Sequence, residues 1–269
     1  MPGVLNMPLV YACIAPHGGH LISDTDQPSR VPKCRAAMQV IKHDLLNAAP
    51  EAVVVVTPHG VSFPYQLTMA ASSRAAGQLD ELQINAEIDL DLSEAWHEEA
   101  TNRGVRVSLI APEDENAPFP LDWGVTIPLA LIDPQGKLPI AVACPGQRVD
   151  RESYLMAGEA LVAASVGKRV ALIASADQGH GHAKDGPYGF APESAEYDQA
   201  MRSAIEADDL SQLLTWDNLW IDSALADSYY QTLILHAAQT AAGLKGRFLA
   251  YEVDHYFGMI CASYTLPPE

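Results

Sequence analysis

Two apolar runs of this chain end in the same tripeptide: Val10 to Ala15 leads into Pro16-His17-Gly18, and Val53 to Thr57 leads into Pro58-His59-Gly60. Short β-branched runs closed by Pro and Gly read as buried strands. In open α/β sheets the crevice just beyond the carboxyl ends of the strands is where ligands bind. The repeated tripeptide therefore delivers two imidazoles to strand ends, and imidazole is the commonest metal-binding side chain. Either histidine alone would be explained by a bond to a backbone carbonyl; the pair points to a shared site.

Around these runs, strand and helix patterns alternate. Cys34 to Ala49 carries Ala37, Val40, Ile41, Leu45 and Ala48 at helical spacing, stopped by Pro50. Further helices are expected over Ser93 to Arg103 with Ser93 as N-cap, over Arg151 to Val166 with Asp150 as cap and Gly167 beyond the end, and over about Glu193 to Ala207 and Asp222 to Ala242. Strands are expected at Ala52 to Thr57, Val105 to Ile110, Leu138 to Cys144 and Arg169 to Ser175, with a last pair around Arg247 to Glu252 and Met259 to Tyr264; Ile127 to Ile132 reads as a helical turn. The alternation predicts an α/β fold in which a mostly parallel central sheet is covered by helices on both faces, formed by residues 1–269 as one domain. A chain of 269 residues, 48% of them hydrophobic, can bury such a core.

The formal net charge of −18 sets the sequence against nucleic acid and anionic membrane surfaces, since both would repel it. No apolar run approaches the roughly 18 residues of a transmembrane helix, and Met1 to Met7 has no basic region of a secretory signal, so a cytoplasmic location is expected. Cys13, Cys34, Cys144 and Cys261 show no Cys-x-x-Cys spacing and read as small buried hydrophobes.

The polar residues at the strand ends are His17, His59, Asp177 with His180 and His182, and Glu252. Two histidines and a carboxylate from separate strands are the ingredients of a facial triad, which leaves positions open on Fe(II) for a bidentate substrate and dioxygen. A further imidazole, with its ordinary pKa near 6.5, suits proton transfer beside such a centre.

Several segments carry a resemblance. Ala15-Pro16-His17, Thr57-Pro58-His59, Leu121-Asp122-Trp123-Gly124 followed by Ile127-Pro128-Leu129, Ser175-Ala176-Asp177-Gln178-Gly179-His180, the stretch from Gly186-Pro187-Tyr188-Gly189-Phe190 to Glu196-Tyr197-Asp198, and Tyr251-Glu252 occur in order along most of the chain. In this the sequence resembles the class III extradiol ring-cleavage dioxygenase superfamily, which includes the catalytic subunits of protocatechuate 4,5-dioxygenase and 2-aminophenol 1,6-dioxygenase. The resemblance implies an Fe(II) enzyme that opens a catecholic or 2-aminophenolic ring with O2, with His17, His59 and Glu252 holding iron and His180 as the acid/base residue. It also implies a small aromatic substrate and assembly as a homodimer or with a small partner subunit.

Asp177 reads as a group orienting a histidine or as a strand-end cap, and His182 as the rival of His180. Trp123 stands where many members of the superfamily have His; stacking on a substrate and filling the core are its two readings, the second being the ordinary role of Trp. His255 is placed to line the pocket or to sit in a solvated loop. Arg148, Arg151 and Lys184 are possible clamps for a substrate carboxylate, with nothing in their spacing to select one. A zinc-dependent hydrolase and a non-catalytic protein of the Memo-like type are the alternative readings of the same strand-end residues.

Overall fold

The computed structural model describes residues 8–23 and 29–267, so the expectation for Met1 to Met7 lies outside the described residues. The chain runs through β1 (Leu9–Ala15), α1 (His20–Ser23), α2 (Pro32–Asn47), β2 (Ala52–Val56), β3 (Leu67–Ala70), β4 (Arg74–Leu79), β5 (Leu82–Glu87), α3 (Leu90–Asn102), β6 (Val107–Ile110), β7 (Phe119–Pro120), α4 (Trp123–Ile132) and β8 (Ile140–Cys144). It continues through α5 (Arg151–Ala164), β9 (Val170–Ser175), α6 (Pro192–Glu206), a 3-10 turn (Leu210–Thr215), α7 (Asn218–Ser223), α8 (Tyr229–Ala242), β10 (Lys245–Asp254) and β11 (Phe257–Thr265).

Eight strands form the central sheet in the order β10-β11-β1-β9-β2-β8-β3-β6, and β5-β4-β7 form a small second sheet. The four inner strands β1, β9, β2 and β8 are mutually parallel. Their residues are buried without exception, as a strand sandwiched between helices requires. Alternate residues feed two cores: Val54, Val56, Leu172 and Ala174 pack with α5, α6 and α8, while Val53, Val55, Ala171 and Ile173 pack with α2 and α4. The expected α/β sheet covered on both faces is therefore observed. All four cysteines are buried and free. No described helix is long and apolar enough to cross a membrane.

Three local expectations need correction. Helix α3 begins before Ser93, because Asp89 accepts the amide of Leu92 and is the N-cap in its place. Strand β3 and the β4-β5 hairpin were not read from the sequence; the hairpin turns at Asp80-Glu81, with Asp80 at φ 51°, without the Asn-Gly or Asp-Gly signal that marks such turns. Most consequential, the segment from Asp222 to Ala242 is two helices rather than one. α7 stops at Ser223, Leu225 takes a left-handed φ of 54°, and α8 starts at Tyr229. Asp227 therefore sits in a loop.

Helices α5 and α8 meet at Gly158, where an added Cβ would lie 2.2 Å from the Ile234 carbonyl oxygen. Gly158→Ala gains about 1 kcal/mol of helix propensity, but the clash is with backbone, which cannot rotate away. A net loss of about 1–3 kcal/mol is expected from overpacking, read as a lower midpoint in chemical denaturation.

Candidate metal centre and catalytic cleft

Strands β1, β9 and β2 are neighbours in that order, so His17 and His59 leave the sheet on either side of the strand that leads to Asp177 and His180. The α7-α8 loop closes over the same edge and supplies Asp227. His17 Nε2 and His59 Nε2 lie 3.0 Å apart, and Asp227 Oδ2 is 3.4 Å from the first and 3.1 Å from the second.

The surroundings of His17, which is 2% exposed, assign its tautomer. Ser175 Oγ donates its one proton to the Gly124 carbonyl at 2.5 Å, so at 2.9 Å it accepts from His17 Nδ1–H. In the neutral ring, the form that binds a metal, the lone pair of Nε2 then faces the cluster. Ser175 does for this ring what outer hydrogen bonds do for metal-binding histidines in general. Ser175→Ala is accordingly expected to weaken metal binding about 10- to 100-fold with the fold retained, as read by metal titration beside circular dichroism.

His59 is oriented differently. Its amide donates to Thr57 Oγ1 at 3.2 Å, and Thr57 Oγ1 donates at 2.8 Å to Asp122, whose same oxygen caps α4 through the Gly124 amide at 2.7 Å. The His59 ring stacks on Trp123 with centroids 4.2 Å apart. Trp123 is 48% exposed and lines the cleft, so the core-filling reading of this residue is overturned.

Asp177 is buried, accepts the His17 amide through Oδ1 at 3.0 Å, and donates its own amide to Asp227 Oδ1 at 3.0 Å. It thus ties together the two residues that flank it, an orienting role. Burial pushes its carboxyl up to about 6, against the pull of His17. Burial also acts on Asp227, but the hydrogen-bonded imidazoles of His17 and His59 hold its carboxyl well below the usual carboxylate range. Burial would lower His17, yet Asp177 and Asp227 raise it to about 9.

These observations fit a divalent cation. Among the described residues, His17, His59 and Asp227 are the group of donors close enough to share an ion. Their separations of 3.0 to 3.4 Å match neighbouring ligands held at about 2.1 Å from a common centre. Two imidazole nitrogens 3.0 Å apart either share a proton or turn both lone pairs to a common cation. The negative potential that raises His17 is the potential a cation would satisfy.

Glu252, the carboxylate ligand expected from the sequence, lies outside this group. It lies on β10 at the sheet edge, and its Oε2 accepts the Cys34 amide in the first turn of α2 at 2.7 Å. The carboxylate beside the two histidines is Asp227, which the single-helix reading of residues 222–242 concealed. Ala224, Leu225 and Ala226 are helix-compatible residues, and the local signal for the break is Asp227-Ser228, residue types favoured at a helix start, with Ser228 the N-cap of α8.

His180 faces the centre, with Nε2 3.9 Å from Asp227 Oδ2, while its Nδ1 is buried without a hydrogen-bond partner. The ring stacks on Phe257 at 5.5 Å and meets Tyr188 edge-on at 5.8 Å. His182 points away: its Nε2 bonds Asp198 Oδ2 at 2.8 Å, an oxygen also held by Tyr251 OH at 2.9 Å. Asp198 further accepts the Gly179 amide, and His182 N–H bonds the Tyr256 carbonyl, so His182 fastens the loop that presents His180. His255 is also set apart, on the β10-β11 turn with Nε2 3.2 Å from exposed Asp185, while the next residue, Tyr256, lines the cleft. Gly18 closes one wall, where a Cβ would lie 2.8 Å from Met259 Sδ and 2.9 Å from Phe257. The cleft has a volume of about 290 Å³ and holds His17, His59, Asp177 and His180 together.

The covered, mostly parallel sheet with two histidines and a carboxylate clustered at its strand ends places the chain among α/β proteins whose open cleft carries a possible metal site. The chain belongs to the class III extradiol dioxygenase family: residues 11–264 match the family of the catalytic LigB subunit of aromatic ring-opening dioxygenase. It is 22% identical over 237 residues to "Protein CA_C1420" of Clostridium acetobutylicum, a match covering 84% of this chain and 50% of that protein. The chain thus spans about half the length of this curated relative. In fold it is similar to an uncharacterized protein, JW3007, of Escherichia coli K12, with a TM-score of 0.62, 15% identity, and coverage of 94% of this chain and 99% of the other.

Proposed function

We propose that this chain forms one catalytic domain that uses Fe(II) and O2 to open a catecholic or 2-aminophenolic ring beside its paired heteroatoms. The observation that carries the reading is the convergence of His17 Nε2, His59 Nε2 and Asp227 Oδ2 on one point of a cleft that also presents His180. These three residues would hold the metal, and two nitrogens with one carboxylate oxygen form the facial donor set of non-haem Fe(II) oxygenases. When bound, Fe(II) supplies open positions for the substrate heteroatoms and dioxygen and a route for electron density between them. The ring gives its electrons to O2 and both oxygen atoms enter the product, so no external reductant is needed.

The protein residues have separate tasks. His180, stacked on Phe257 and edge-on to Tyr188, takes the proton of the substrate hydroxyl at Nε2 and returns it as the ring opens. Trp123 and Phe257 fix the imidazoles from behind, and together with Tyr188 and Tyr256 they make an aromatic mouth that favours a flat ring over water.

The test is oxygen uptake by the anaerobically Fe(II)-loaded protein on addition of catechols and 2-aminophenols, with product absorbance followed in parallel. Stoichiometric uptake supports the reading. Full metal occupancy with no uptake on any ring overturns it, and hydrolysis by a zinc-loaded sample would move the assignment to a hydrolase.

A further inference from the structure

Histidine is the one basic side chain type that lines the cleft. All 16 Lys and Arg residues of the chain lie among the described residues, and none of them lines it. The groups that the sequence offered as carboxylate clamps are committed or distant. Arg151 donates to the Leu214 carbonyl at 2.7 Å, the Trp216 carbonyl and Asn218 Oδ1. Arg148 donates to Tyr65 OH at 3.2 Å, and Lys184 is exposed on the loop beyond His182. Arg30, nearer the β1 side, bonds the His20 ring at 3.0 Å beside Asp254.

What the cleft does offer is aromatic faces and negative charge. Trp123, Tyr188, Tyr256 and Phe257 form its walls, Asp177 and Asp227 stand at its floor, and the chain as a whole carries a net charge of −18. A carboxylate on the ring, held away from the heteroatoms that would meet the metal, loses water without gaining a Lys or Arg partner, which is costly. An ammonium group gains from the aromatic faces and from the surrounding field. Hydroxyls of Tyr188 and Tyr256 are neutral donors, and a hydrogen bond from them is about half as strong as a charge-assisted one.

From this we infer the substrate class: a catechol or 2-aminophenol without an acidic substituent, either uncharged or bearing an amine. The inference rests on the ring-cleavage reading for the heteroatom pair, but the charge preference is a property of the cleft walls.

The experiment separates the two. Binding to the Fe(II)-loaded full chain is measured without oxygen, by quenching of tryptophan fluorescence, for catechol, 4-(2-aminoethyl)catechol and 3,4-dihydroxybenzoate; oxygen is then admitted and its uptake recorded. The first two compounds are expected to bind at least about tenfold more tightly than the third, with kcat/KM in the same order. Leu79→Lys, which adds a cation at the rim of the cleft on the β4-β5 hairpin, is expected to raise affinity for 3,4-dihydroxybenzoate about tenfold and to leave catechol within twofold. Equal or tighter binding of 3,4-dihydroxybenzoate by the unaltered protein overturns the inference. The expected binding order with no oxygen uptake on any ring upholds the charge preference and overturns the ring-cleavage reading instead.

Discussion

Asp227→Asn is expected to remove stoichiometric metal binding, while Glu252→Gln is expected to keep it. Asp227 Oδ2 lies 3.1 to 3.4 Å from the two imidazole nitrogens, and an amide there supplies neither the negative charge nor the anionic oxygen that a divalent cation needs. Loss of an outer partner of a metal ligand typically costs about 10- to 100-fold in affinity, so loss of a ligand itself is expected to cost more than about 100-fold. Glu252 meets the amide of Cys34 at the start of α2. Gln retains the accepting oxygen and loses only the charge at a helix N-terminus, worth about 0.3–1 kcal/mol. The pair of variants is read by calorimetric metal titration and thermal denaturation. Loss of metal from the Glu252 variant with retention in the Asp227 variant would restore the ligand set expected from the sequence.

His180→Ala is expected to lower kcat by about 100- to 10,000-fold, the usual contribution of a general acid/base, with metal content unchanged. The separation of effects follows from position. His180 Nε2 is 3.9 Å from the Asp227 carboxylate and outside the three-donor group, yet it shares the cleft. His182→Ala provides the contrast. Its ring is bonded to Asp198, so its removal should loosen the loop from α6 and reduce stability, and any loss of rate should track the fraction folded. Equal loss of kcat in fully folded samples of both variants would defeat the assignment of His180 as the proton carrier.

How much of this was legible in the chain depends on the range of the interactions involved. The strands ending at His17, His59 and Asp177 were readable because each is a short β-branched run buried on both faces, and that requirement shows in composition alone. The start of the helix capped by Asp150 was readable because an N-cap acts within four residues. The role of Ser175 was not, since its significance is a hydroxyl placed between an imidazole 158 residues away in sequence and a carbonyl 51 residues away. The outward stack of Trp123 on His59 likewise depends on how the start of α4 meets the end of β2.

The sequence by itself determined the alternation of strands and helices, the delivery of two histidines to strand ends and the net negative charge, because periodicity, strand-end position and composition need no tertiary contact. Only the tertiary structure brings one carboxylate, Asp227, beside the two imidazoles and sets one further imidazole, His180, in their cleft. The α7-α8 break at Leu225 is made without glycine or proline, and it brings Asp227 to a site whose other donors lie 168 to 210 positions away along the chain. Glu252 and His182 were equally eligible by residue type, but Cys34 and Asp198 had already taken them as hydrogen-bond partners. A carboxylate or imidazole can satisfy one arrangement or the other, and packing made the choice.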